Sequence, residues 1–173
     1  MKNEKEPLYA PIPPWLYLVG ADPSDVTNFG WSLARNESLR VSVRFLRGKK
    51  MVDLDSLFNE FAAALQFPYY LGENWAAFDE CLADLDWMPA DAYILIVTDL
   101  GSVLSKEDKG QFTILIDILQ KVADEWSRPV DTTEAWARPA KAFHVIFQVS
   151  PVDFEEAQHQ LKSAGGVLQK LEL

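Results

Sequence analysis

Two uninterrupted apolar runs constrain this chain most. Tyr93-Ile94-Leu95-Ile96-Val97 and Ala142 to Val149 carry no polar alternation beyond His144 and Gln148. A strand that is apolar at every position is covered on both faces, which is the habit of parallel sheets layered by helices. Parallel neighbours need a crossover between them. A helical pattern lies between the two runs over about residues 106–126, with Phe112, Leu115, Ile116, Leu119, Val122, Ala123 and Trp126 on one stripe.

The remaining elements fit the same plan. Leu39 to Leu46 alternates, with Val41, Val43 and Phe45 one way and Arg40, Ser42 and Arg44 the other, as a half-buried strand does. A helix follows over about residues 54–66, capped by Asp53 or Asp55, with Leu54, Leu57, Phe58, Phe61 and Leu65 inward. Pro68 stops it and Gly72 allows a tight turn. A second helix is expected over about residues 73–85, with Trp75, Phe78, Leu82 and Leu85 buried. Glu73, Ala76, Glu80 and Asp84 recur on a different face, flanked by Asp79. Trp15 to Val19 reads as a strand closed by Gly20, and Asp22-Pro23-Ser24 as the start of a short helix to about Phe29. Residues 127–141 read as a loop. Ser150-Pro151-Val152-Asp153 opens a last helix that Gly165-Gly166 ends. Residues 1–14 hold four of the ten prolines and read as an extended arm. The expectation is an α/β chain with a small parallel sheet of three core strands, or four if the N-terminal run joins. It is organised as one domain over 15–173 behind the arm.

Charge is segregated. From Met51 to Ser105 there is no Lys, Arg or His, yet there are ten carboxylates; the rest of the chain balances 16 acids with 16 bases. The whole formal charge of −10 resides in this block. Such a field attracts a cationic surface and repels nucleic acid. Like charges at helical spacing repel one another, so a block without bases points to compensation by an external cation. Tyr69, Tyr70 and Trp87 lie beside the acids, and aromatic anchors ringed by charge are common at tight interfaces; closing the core is the competing reading for Tyr70 and Trp87.

Other chemistry is sparse. Of two histidines, His144 reads as a core residue and His159 as a solvated one. Cys81, the single cysteine, borders the buried stripe of the second helix and excludes an intrachain disulfide. No metal-ligand spacing, nucleophile–base pair or Gly-rich phosphate loop is present in the sequence. Adjacent Asp79 and Glu80 diverge by about 100° on a helix and cannot aim at one bond. No cofactor and no catalysis are expected. No apolar run reaches the roughly 18–20 residues of a membrane span, and the start lacks an apolar signal core. A cytosolic monomer is expected.

The segment Phe67-Pro68-Tyr69-Tyr70-Leu71-Gly72-Glu73-Asn74-Trp75-Ala76-Ala77-Phe78-Asp79-Glu80-Cys81-Leu82-Ala83-Asp84-Leu85 resembles the barstar family of ribonuclease inhibitors: a proline–aromatic turn, G-x-N, then an acidic helix with D/E-C-L. The likeness continues through Trp87-Met88-Pro89 and both apolar runs, covering roughly 39–150, with 15–38 and 151–173 as additions. It implies a barstar-like layered fold and a cytosolic inhibitor whose helix acids mimic substrate phosphates in the active site of a basic ribonuclease or related toxin. Tyr70, Gly72 and Asn74 then belong to the inhibitory turn, and Glu80 takes the place of a principal blocking acid. Ala76 replaces another acid of that helix, Asp79 restores part of the charge, Leu71 stands for the usual aromatic, and Asp124 matches a further contacting acid. The alternative is an acidic interaction module with no nuclease partner, with a carboxylate enzyme as a third option.

Overall fold

The computed structural model describes residues 5–69, 72–131, 133, 135 and 137–173. Five parallel strands form one sheet in the order β2-β3-β4-β1-β5: β1 (Leu16–Gly20), β2 (Val41–Arg47), β3 (Ala92–Thr98), β4 (Ala142–Val149) and β5 (Leu168–Lys170). Five helices connect them: α1 (Pro23–Ala34), α2 (Leu54–Leu65), α3 (Trp75–Asp84), α4 (Lys109–Trp126) and α5 (Phe154–Ser163). The step from β1 to β2 crosses the sheet one way, and every later step runs the other way. Right-handed crossovers therefore put α1 on one face and α2–α5 on the opposite face.

The two apolar runs are the middle of this arrangement. Tyr93, Leu95 and Val97 of β3, with Phe143, Val145 and Phe147 of β4, pack under α2–α5. Ile94, Ile96 and Ile146 face Val26 and Leu33 of α1. Both faces are covered, so no alternation is visible in the sequence.

The structure departs from the sequence reading at its periphery. α1 runs to Ala34, five residues past the expected end. α3 starts at Trp75, because Asn74 is its cap rather than part of it. α4 starts at Lys109, capped by Asp108. Ser150 makes no side-chain cap; a 3-10 turn over Pro151–Asp153 precedes α5 instead. A fifth strand, β5, extends the sheet on the outer side of β1, with Leu16 opposite Leu168. At three residues, two of them exposed, it has no period to read. β1 pairs with β4 on its other side, Leu16 opposite Val145, so residues 15–38 and 151–173 complete the sheet rather than decorate it.

The arm is also folded in part. Glu6–Tyr9 form a 3-10 turn, Leu8 is fully buried in the α1-side cluster, and the Tyr9 hydroxyl donates to Leu33 O at 3.3 Å. One leucine among prolines carries no periodicity, which is why the segment reads as extended. His144 fastens this strap: its Nε2 donates to Ala10 O at 3.0 Å, between the rings of Trp15 and Tyr17. Its Nδ1 is buried with no hydrogen-bond partner among the described residues. Burial holds this imidazole below its ordinary value of 6.5. The unfolded chain therefore takes up the proton first as pH falls through 6.5, and stability present above that value is lost below it. The unfolding free energy read from urea titrations is expected to fall between pH 7.5 and 5.5, by at most about 1.4 kcal/mol per pH unit. His144→Phe should flatten that dependence; a slope unchanged by the substitution would assign it elsewhere.

Among the described residues no helix is long and apolar enough to cross a membrane.

Candidate functional site

The site is built on α3 and the turn before it. α2 ends at Leu65, where Gln66 takes the left-handed conformation (φ 54°). The Asn74 side chain accepts from Ala77 N at 2.9 Å to open α3. Gly72 lies against that cap: a Cβ there would sit 2.7 Å from Asn74 Nδ2. Asn74 and Gly72 thus fix where α3 begins. Phe78, Cys81 and Leu82 point into the core. The Cys81 thiol is pushed up to about 11 by burial, then by the charges of Glu80 and Asp84, so it is an inert core group.

The outward side of α3 carries Ala76, Glu80 and Asp84, all exposed and four residues apart. Glu73 is exposed at its head and Asp86 at its foot. None of these four acids is in an ion pair among the described residues. Their proximity is registered by Asp84, whose carboxyl lies above the usual range through partial burial first and the charge of Asp86 next, with Glu80 adding. Asp86 is a member of the stripe that helical periodicity missed, because it follows the helix end. The acid two positions beyond Asp84 in a base-free stretch is the signal that would have included it.

Five of the other six acids of the block are engaged within the fold, while Asp55 is exposed on α2. Asp53 caps α2 in a mutual box with Ser56 and lies 3.9 Å from Lys106. Glu60 is buried and accepts from Arg47 at Nε, Nη2 and the backbone N at 2.8–2.9 Å. Asp79 bonds Lys121 of α4 at 2.5 Å, and Asp99 pairs with Lys49 at 3.2 Å. Asp91 accepts from Arg40 N. Bases flanking the block reach into it, so the compensation expected from outside the protein is supplied for four of the ten acids from within. Asp79 in particular faces α4 rather than the Glu80 stripe. Asp124 sits further along α4, paired with Arg128.

The aromatic residues divide similarly. Trp75 stacks on Phe58 and Phe78 and donates to Gln111. Trp87 donates its indole N–H to Leu65 O and packs on Phe67, closing the core beneath the turn. Tyr69 is 99% exposed. Tyr70 and Leu71 lie outside the described residues. An apolar hollow of about 210 Å³ opens between α2 and α3, floored by Phe58, Phe78 and Cys81, with Tyr69 and Glu73 at its mouth. A long side chain with an apolar stem and a cationic head fits such a place. Among the described residues no group of three or more His, Cys, Asp or Glu side chains is placed to hold a metal ion.

Residues 41–148 match the model of a protein family described as "Barstar (barnase inhibitor)". No curated protein matches the chain. Among solved structures, the ORC2 protein of Aeropyrum pernix in ADPNP–ADP complexes aligns with a TM-score of 0.53 and 10% identity, over 90% of this chain and 41% of that one. Cdc6p from Pyrobaculum aerophilum aligns with a TM-score of 0.53 and 14% identity, over 90% and 38%. The chain thus spans about two fifths of these proteins. At such identities the likeness is one of fold alone.

Proposed function

This chain belongs to the barstar family, and from that premise we propose that it is an inhibitor that occludes the active site of a basic ribonuclease or related toxin with the outward side of α3. One observation carries the reading: Glu80, Asp84 and Asp86 lie close enough to perturb one another on the outward side of α3, with Glu73 exposed at its head, and none of the four is in an ion pair among the described residues, although bases elsewhere neutralise their neighbours. Close like charges cost stability unless something removes the repulsion. A catalytic groove lined with Arg, Lys and His, built to hold phosphates, does so. The protein acts by filling that groove, without catalysis of its own.

Ala76 sets the centre of the stripe apart. It leaves an uncharged spot between Glu73 and Glu80, which suits a partner presenting an apolar group there. Glu80 reaches further than an aspartate at the same position. These two residues distinguish the toxin this chain fits from those fitted by relatives with an acid at both positions.

Nucleotide binding, seen for the Aeropyrum protein in its ADPNP–ADP complexes, is disfavoured here. The turn after β1, Gly20-Ala21-Asp22-Pro23-Ser24-Asp25, holds neither the Gly-rich loop nor the lysine that cradles phosphates, and it brings two carboxylates to the spot.

The test is capture from the native cell on the immobilised protein, followed by an RNA-hydrolysis assay of the captured protein. A basic nuclease whose activity falls to zero at a one-to-one ratio is expected. Its association rate should fall steeply as salt rises, since steering by exposed charge is screened within about 10 Å at 0.1 M. A captured protein without nuclease or toxin activity would favour the alternative of a regulatory interaction module.

A further inference from the structure

β2 is an edge strand, hydrogen-bonded to β3 on one side only. Arg40 O accepts from Ala92 N, and Leu46 O accepts from Thr98 Oγ1, so the even-numbered residues turn their backbone groups to β3. In a parallel strand the N–H and C=O of one residue point the same way and alternate along the chain. The groups of Val41, Val43, Phe45 and Arg47 therefore point outward. Arg47 N is taken by Glu60. The amides and carbonyls of Val41, Val43 and Phe45 make no hydrogen bond among the described residues.

Proteins guard such edges with shortness, proline, a bulge or charge. The other edge, β5, is guarded by being three residues long. β2 is seven residues long, with no proline and no bulge against β3. Of its two charges, Arg44 lies against the Met88 sulfur at 2.9 Å, and Arg47, exposed at the end of the strand, is neutralised by Glu60. A groove of about 320 Å³ runs beside it, lined by Trp31, Ala34, Val43, Arg44, Phe45 and Ala64. Trp31 is 56% exposed and lies 5.9 Å from the Phe45 ring.

We propose that this edge pairs antiparallel with β2 of a second copy of the chain, about a two-fold axis at Val43. That register alone places all three outward residues opposite outward residues with open hydrogen-bonding groups: Val43 faces Val43 of the second copy, and Val41 faces Phe45. Six backbone hydrogen bonds form, two for each of the three pairs. β-Branched and aromatic side chains meet on the Trp31 face. Ser42 meets Arg44 on the other face. Shifting the axis to Arg44 would set two arginines directly opposite, which is unfavourable, and would spend the already occupied Arg47 N–H. The self-complementary register is what selects a second copy over an unrelated strand, and closed two-fold pairs are the commonest assemblies. The monomer expected from sequence rested on no feature of this edge.

Light scattering coupled to gel filtration reads the outcome directly. The wild-type chain is expected at twice its single-chain mass, and Val43→Lys at the single-chain mass with an unchanged far-ultraviolet circular dichroism spectrum. Val43→Cys tests the register independently of any lysine effect. Hydrogen-bonded partners lie about 5.5 Å apart at Cα, within disulfide reach. Oxidation by diamide should join the two Val43→Cys thiols across the axis, while Arg35→Cys, off the edge, should stay single. A wild-type mass of one chain from dilute to concentrated solution overturns the proposal and leaves the edge to a strand of another protein. A dimer in which Val43→Cys links no faster than Arg35→Cys overturns it too, by placing the contact elsewhere.

Discussion

Replacing Glu80 by lysine is expected to weaken binding of the captured toxin by roughly a thousandfold, because like charges brought together in an interface cost several kcal/mol. Glu80→Ala should cost about 2 kcal/mol or more, the range of a buried hot spot. Neither change should disturb the fold. Glu80 is exposed on α3, makes no ion pair among the described residues, and lies within the last two turns of a helix whose core contacts come from Phe78, Cys81 and Leu82. Exposed substitutions of that kind stay within about 0.5 kcal/mol of the parent. Asp79→Asn is the internal control. Its carboxylate is one residue away in sequence yet bonded to Lys121 on α4. Its loss should alter affinity little, while loosening the α3–α4 contact. Isothermal titration of the three variants against the same toxin separates the cases. Equal losses for Glu80→Ala and Asp79→Asn would mean that net charge, rather than the stripe, drives binding. No loss for Glu80→Lys would remove α3 from the interface.

The contrast between Glu80 and Asp79 also marks what could be read from the chain. The helical period separates the two faces of α3 correctly, since Phe78 and Leu82 are buried while Ala76, Glu80 and Asp84 are exposed. It is silent on what stands opposite. Lys121 is 42 residues from Asp79, and only the packing of α4 on α3 brings them together. Arg47–Glu60 and Lys49–Asp99 escaped for the same reason: each pair joins two elements whose packing no periodicity reports, even where, as for Arg47 and Glu60, the residues are only 13 apart. The charge desert is therefore a true feature of the sequence and a poor measure of the field. The central strands were legible because burial on both faces leaves runs that are almost wholly apolar, broken only by His144 and Gln148 in β4. β5 and the Leu8 strap were not, because three residues of strand and one buried leucine have no period. Tyr70, expected at the inhibitory turn, lies outside the described residues, and the turn is instead defined by Gly72 under the Asn74 cap.

Gly48→Ala is expected to destabilise the protein by about 3 kcal/mol, at the upper end of what an extra methyl in a closed site costs. The residue follows β2, where the chain passes over the carboxyl end of β3. A Cβ there would lie 2.2 Å from Thr98 O and 2.4 Å from Asp99 O. Both are backbone atoms, so no side-chain rotation relieves the contact. The surroundings are also clamped: Arg47 holds Glu60 of α2 on one side, and Lys49 holds Asp99 on the other. Moving Gly48 outward would stretch one clamp or the other, and α2 leads directly into the turn that seats α3. The loss should appear as a fall in melting temperature of about 6–12 °C for a chain of this size. Two other glycines grade the effect. At Gly30 a Cβ would meet Phe45 Cζ at 2.6 Å and Ile96 Cδ1 at 2.7 Å. Those are tips of side chains, and the Ile96 tip can turn, so Gly30→Ala should cost less. At Gly101 nothing lies within 4 Å, and Gly101→Ala should be close to neutral. A Gly48→Ala protein that melts with the Gly101→Ala protein would mean that the β2–α2 connection yields, and that the seat of α3 is not held by this close approach.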